Sequence, residues 1–213
     1  MTTELILHEL PPSPNNVKVR LALGFKGIDY TSKPIDMSVP RGDRADLLAI
    51  SGQPRTPVLQ HGEVVIFDSN GIIRYLEANV KREPSLFSAD YAEFGEIEKW
   101  ELLARTHVGA PIGAMFGMAM SGDVTPEGLA AANAGFHEVT GELEERLKEG
   151  DFLVGGRTTN ADLAIAPMIN LATLSDAFVA TSELMVFFKA NLHLGDDRER
   201  TRAWIERHMA YDR

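Results

Sequence analysis

In the first eighty residues the apolar positions form short runs that alternate between two spacings. Leu5, Ile6 and Leu7 make a brief apolar run ending at His8, which predicts a buried strand over 5–8. Val17, Leu21, Gly24 and Phe25 then recur at helical intervals and predict a helix over 17–26, closed by Gly27. A weaker strand is read at 30–34 and a short helix at 44–50. The runs Pro57–Gln60 and Val64–Phe67 predict two strands joined at His61-Gly62, a good tight-turn pair. Ser69 is read as the cap of a further helix with Ile72, Ile73, Leu76 and Val80 on its apolar face. The predicted order is β-α-β-α-β-β-α.

After Pro84 the strand pattern stops. Helical spacing takes over at 91–120, 126–148, 161–174, 183–192 and 198–209. Strands and helices segregated in this way predict two domains rather than one doubly wound sheet. The boundaries expected are 1–80, a linker at 81–88, and an all-α domain over 89–213.

Composition narrows the chemistry. Hydrophobic residues are 44% and charged residues 24%, an ordinary globular balance. The net charge of −10 argues against a nucleic-acid partner, because phosphate backbones are held by clustered Lys and Arg. No run approaches the ~20 apolar residues of a membrane span. Met1-Thr2-Thr3-Glu4 lacks the basic, then apolar, start of a secretory signal, so a cytoplasmic location is expected. Cysteine is absent, which removes disulfides and protein-borne thiol chemistry. Any sulfur chemistry must use a sulfur that a ligand brings.

Ser13 stands where the first strand gives way to the first helix. The opening turn of a helix presents unpaired N–H groups and the positive end of its dipole, which suits a thiolate or carboxylate. Serine there also serves simply as a helix cap.

Four motifs in register resemble those of the cytosolic glutathione transferases: Ser13-Pro14-Asn15-Asn16-Val17-Lys18-Val19-Arg20, Thr56-Pro57-Val58-Leu59, Asp68-Ser69 with Ile72-Ile73-Arg74-Tyr75-Leu76-Glu77, and Phe152-Leu153-Val154-Gly155-Gly156 with Thr159-Asn160-Ala161-Asp162. The resemblance implies an α/β thioredoxin-like N-terminal domain followed by an all-α C-terminal domain. It further implies that glutathione is the cosubstrate, with no metal. Ser13 or Asn15 would contact its sulfur, as in the serine-type or nu-like classes. Thr56, ahead of a cis bond to Pro57, would pair with the peptide backbone. Asp68 and Ser69 would receive the γ-glutamyl end. Gln53 and Arg55 are candidates for the glycyl carboxylate, with Arg41 and Arg44 as alternatives, and Asn16 departs from the glycine usual in the nu-like group.

On this resemblance the protein is a homodimeric transferase that delivers glutathione thiolate to a small hydrophobic electrophile. Glutathione-dependent disulfide reduction is one alternative, and a non-catalytic interaction protein of the same fold is another. The acceptor pocket would draw on the first long helix of the second domain, with Trp100, His107, Met115, Phe116 and Met118; the same residues also suit a core. Thr159 and Asp162 read as a capping box with no chemistry of its own.

Overall fold

The computed structural model describes residues 4–36, 39–179 and 182–213. Met1–Thr3, read above for a signal segment, lie outside the described residues. The chain divides into two compact units, Met1–Leu86 with Ala210–Arg213, and Phe87–Met209.

The first unit runs β1 (Leu5–Glu9), α1 (Pro14–Lys26), β2 (Thr31–Pro34), a 3-10 turn (Arg41–Asp43), α2 (Ala45–Ser51), β3 (Val58–His61), β4 (Val64–Phe67) and α3 (Ser69–Asn79). Its sheet has the order β2-β1-β3-β4, with β2 parallel to β1 and the other pairs antiparallel. Leu5 and Leu7 of β1 and Leu59 of β3 share one face of the sheet, because alternate strand residues point the same way. On that face they meet Val19 and Leu23 of α1 and Ile72 and Leu76 of α3. All seven are almost fully buried, each contributing on the order of 1.5–3 kcal/mol of apolar burial. Gly27 ends α1 in the left-handed conformation at φ 59°, which glycine adopts without a Cβ clash.

The segment read as a linker is bound tightly at its start. The Lys26 side chain is fully buried, donates to the carbonyls of Lys81, Arg82 and Pro84 at 2.9–3.0 Å, and pairs with Glu77 at 2.6 Å. Residues 81–86 therefore pack with the sheet, and the Glu83–Pro84 bond is cis. The last four residues, expected with the helical domain, also belong to the first unit. Asp212 pairs with Arg20 of α1, and the Tyr211 ring meets Phe25 edge-on at 5.1 Å.

The second unit is helical: α4 (Tyr91–Leu103), α5 (Gly109–Ser121), α6 (Pro126–Arg146), α7 (Asn160–Ile169), the short α8 (Asp176–Val179), α9 (Glu183–Asn191) and α10 (Glu199–Met209). The single helix read at 91–120 contains a π turn at Ala104–Val108, between α4 and α5. Its core includes Ile97, Met115, Phe136, Ile169 and Trp204. Met115 is therefore a core residue, and Trp100 and Met118 pack against that core; His107 is exposed and Phe116 partly so. The predicted box opens α7: the Asp162 carboxylate accepts the Thr159 backbone N–H at 2.9 Å, and also bonds Leu153 N and Trp204 Nε1.

Candidate functional site

Strand register gathers the predicted residues at one edge of the sheet. His8 of β1 faces Val58 of β3, and Val58 faces Phe67 of β4. The continuation of β1 toward Ser13, the entry to β3 at Thr56-Pro57 and the exit of β4 at Asp68-Ser69 thus emerge side by side. Glu9 opposite Pro34 brings the end of β2 to the same edge.

Ser13 is the N-cap of α1, at φ −73° and ψ 125°, but its side chain makes no capping hydrogen bond. Pro14 has no N–H, and the Asn16 amide returns to the Ser13 carbonyl at 2.9 Å. Among the described residues, the Asn15 amide and the Ser13 hydroxyl are left as uncommitted donors at this helix start. Asn15 is exposed, whereas Asn16 is fully buried. The Asn16 Oδ1 accepts the Leu10 N–H at 3.1 Å, tying the loop after β1 to the helix.

At α3 the structure corrects the expected cap by one residue. Asp68, not Ser69, is the N-cap, and its Oδ1 accepts from the amides of Asn70 at 2.9 Å and Gly71 at 3.2 Å. Asp68 holds φ 77°, the one positive value outside glycine among the described residues. Such a conformation costs on the order of 1–3 kcal/mol and tends to occur where a ligand or switch requires it. Ser69 is the first helical residue and is buried. Lys18 Nζ donates to Asn70 Oδ1, joining the two helix starts.

Thr56–Pro57 is cis, with Pro57 buried and Thr56 half-buried just ahead of β3. The candidates for the glycyl carboxylate separate. Gln53 is committed to its own loop: its Nε2 donates to the Arg55 carbonyl at 2.8 Å and its Oε1 accepts the Arg55 N–H at 2.8 Å. Arg55 is exposed, as is Arg41. Arg44 donates to the Pro54 carbonyl at 3.4 Å, while its Nε is buried without a partner among the described residues. It lines a cavity of about 680 Å³ between α2 and the end of β2, together with His8, Lys33 and Asp36.

Comparison with known proteins identifies the family. Sequence models of two domains match, "Glutathione S-transferase, N-terminal domain" over residues 7–84 and "Glutathione S-transferase, C-terminal domain" over 113–212. The chain belongs to the glutathione S-transferase family. Glutathione S-transferase 3 of Zea mays is 31% identical over 96 residues, 45% of this chain and 43% of that protein. Elongation factor 1-gamma 3 of Oryza sativa subsp. japonica is 28% identical over 163 residues, 76% of this chain. The chain spans less than half the length of either of these two relatives, 43% and 39%. The solved structure of Ure2p in complex with glutathione shares the family fold at a TM-score of 0.77 and 18% identity, over 98% of this chain and 95% of that one.

Two residues that hold the loop before α1 were given no role by sequence reasoning: Asn16, through Leu10, and Arg20, which donates to the Pro11 carbonyl at 3.1 Å. Arg20 lies three residues from Val17 and four from Gly24, on the stripe that predicts the buried face of α1. A charge on that stripe was the available signal.

Proposed function

We propose that the protein binds glutathione at this sheet edge and holds its sulfur as a thiolate at the start of α1, for attack on a small hydrophobic electrophile. The observation that carries the reading is a helix start whose hydroxyl and first amide are uncommitted. A free thiol titrates near pKa ~8.5 and is mostly protonated at neutral pH. Lowering that value by about two units takes ~2.7 kcal/mol of preference for the anion. One charge-assisted hydrogen bond from Ser13 or Asn15, aided by the helix dipole, is of that size. The thiol proton leaves to solvent; the sulfur lone pair then forms the new S–C bond while the electrophile's leaving group departs.

In this reading the Thr56 backbone pairs with the tripeptide, and the Asp68 carboxylate faces the γ-glutamyl amino group. Ser69 receives the γ-glutamyl carboxylate. Arg44 is the better contact for the glycyl carboxylate, since the Gln53 amide is already bonded within its loop. A cytoplasmic dimer belongs to the same reading, and sedimentation of the purified protein tests the pairing.

The deciding experiment is calorimetric titration with glutathione, followed by the thiolate absorbance of the complex against pH. Binding with a bound-thiol pKa at least a unit below that of free glutathione is expected. Tight binding with an unshifted thiol would leave a carrier without activation. The similarity to elongation factor 1-gamma favours a second reading, a non-catalytic interaction module. A folded protein that fails to stay on immobilised glutathione would decide for it.

A further inference from the structure

The loop between β1 and α1, which carries Ser13, is gripped from the distant end of the sequence. Arg20 is the grip. Its Nε and Nη2 form a side-on pair with both Asp212 oxygens at 2.7 and 2.9 Å. Its Nη1 reaches Glu9 at 2.5 Å, and both Nη atoms donate to the Pro11 carbonyl at 3.1 Å. A guanidinium has five N–H donors in a rigid fork, and each is engaged here. Glu9 in turn accepts from the Ser32 hydroxyl at 2.6 Å. Burial alone would weaken the Arg20 charge, but the hydrogen-bonded Asp212 and the nearby Glu9 more than offset it and hold the group firmly cationic.

The segment bearing Asp212 is seated by a second feature. A Cβ placed on Gly24 would lie 1.9 Å from the Tyr211 carbonyl oxygen. Only a glycine lets that backbone lie flat on α1 one turn beyond Arg20. Glycine inside a helix is otherwise unfavourable relative to alanine.

We infer that Asp212 is a positioning residue for the glutathione site: by orienting Arg20 it fixes the Pro11 carbonyl, and with it the loop that presents Ser13 and Asn15. Asn16 holds the same loop from its other side, through Leu10. The loop holds two prolines, Pro11 and Pro12, with Pro14 opening α1, and so has few N–H groups with which to hold itself. The part concerning the thiol rests on the function proposed above; the part concerning the loop does not.

Two variants test this without touching a residue of the site, Asp212→Ala and Gly24→Ala, with Asp212→Glu as the conservative rescue. Circular dichroism and thermal melting establish folding. Hydrogen exchange of the Leu10 and Ser13 amides in the ligand-free protein reads the loop, and the pH titration of bound glutathione reads the sulfur. Both alanine variants are expected to exchange these amides about tenfold faster and to raise the bound-thiol pKa by about half a unit to one unit, with partial recovery in Asp212→Glu. Gly24→Ala should melt lower than the natural chain; a higher melting temperature would mean the segment does not lie where helix propensity is overruled. Unchanged exchange in folded Asp212→Ala overturns the proposal, and so does faster exchange with an unmoved thiol pKa. If the natural protein binds no glutathione, the transferase reading fails, while the exchange measurement still decides whether Asp212 holds the loop.

Discussion

The two helices that start at the candidate site are capped in opposite ways. At α3 the Asp68 carboxylate is turned onto the helix it begins and bonds two of its amides. At α1 the Ser13 side chain bonds no amide of its helix, and the conformation of the preceding loop is held instead by Arg20 and Asn16. A cap that satisfies its own helix contributes stability. A cap position whose hydroxyl is left unpaired contributes less stability and keeps a donor for a guest. The pair therefore separates folding from chemistry within one sheet edge, and substitutions can test that separation.

The largest effect is expected at Ser13. Ser13→Ala should raise the pKa of bound glutathione by about a unit or more, so that about tenfold less thiolate forms below the shifted value. Its melting temperature should stay close to that of the natural chain, because no capping bond is lost. A large loss of stability with an unmoved thiol would reverse the roles assigned to the two helix starts.

Asp68 should behave in the contrary way. Asp68→Ala is expected to cost about 1 kcal/mol of stability in denaturant unfolding, since both amides lose their acceptor. Asp68→Asn keeps a good capping acceptor and tolerates positive φ, but removes the charge. It should therefore melt near the natural protein while binding glutathione several-fold more weakly. Equal affinity in the asparagine variant would remove the ligand's amino group from Asp68.

Thr159→Ala provides a cap with no ligand role. It should cost about 1 kcal/mol or somewhat more through the α7 box and leave glutathione titration unaltered. A shifted bound-thiol pKa in this variant would show that the readout follows global stability rather than the α1 start.

The smallest effect is a pH dependence in the helical unit. Burial pushes the His208 imidazole below its ordinary value, and the Asp162 carboxylate 3.8 Å away opposes this only in part. The folded protein thus favours neutral His208, while the unfolded chain takes up a proton near pH ~6.5. The stabilisation is complete above that pH and is lost as the pH falls below it, toward the lowered folded value. Melting temperature should fall between about pH 7.5 and 5.5, more steeply in the natural chain than in His208→Gln. Parallel curves would show that His208 does not titrate in this window.

Much of the edge was legible before any coordinates. β1, β3 and β4 follow from short apolar runs bounded by turn residues, and they carry Ser13, Thr56-Pro57 and Asp68-Ser69 with them. The shift of the α3 cap from Ser69 to Asp68 was not legible, because it depends on one backbone torsion of 77° that no local pattern encodes. The engagement of Gln53 within its own loop was hidden for a similar reason: its amide is bonded to Arg55, two residues on, in a turn the sequence does not announce. The burial of Lys26 and Arg20 was not legible either. Each is buried because backbone carbonyls and a carboxylate from far along the chain surround it.

Periodicity, turn chemistry and the order of four motifs by themselves determined the family fold and which segments meet at the candidate site. These are local signals, carried by backbone preference and by which side chains must leave water. The tertiary structure decided which donors at that edge remain uncommitted, and that residues 210–213 brace the loop bearing Ser13. Hydrogen-bond satisfaction inside a folded protein depends on partners up to 192 positions apart, such as Arg20 and Asp212, and only folding brings them within reach.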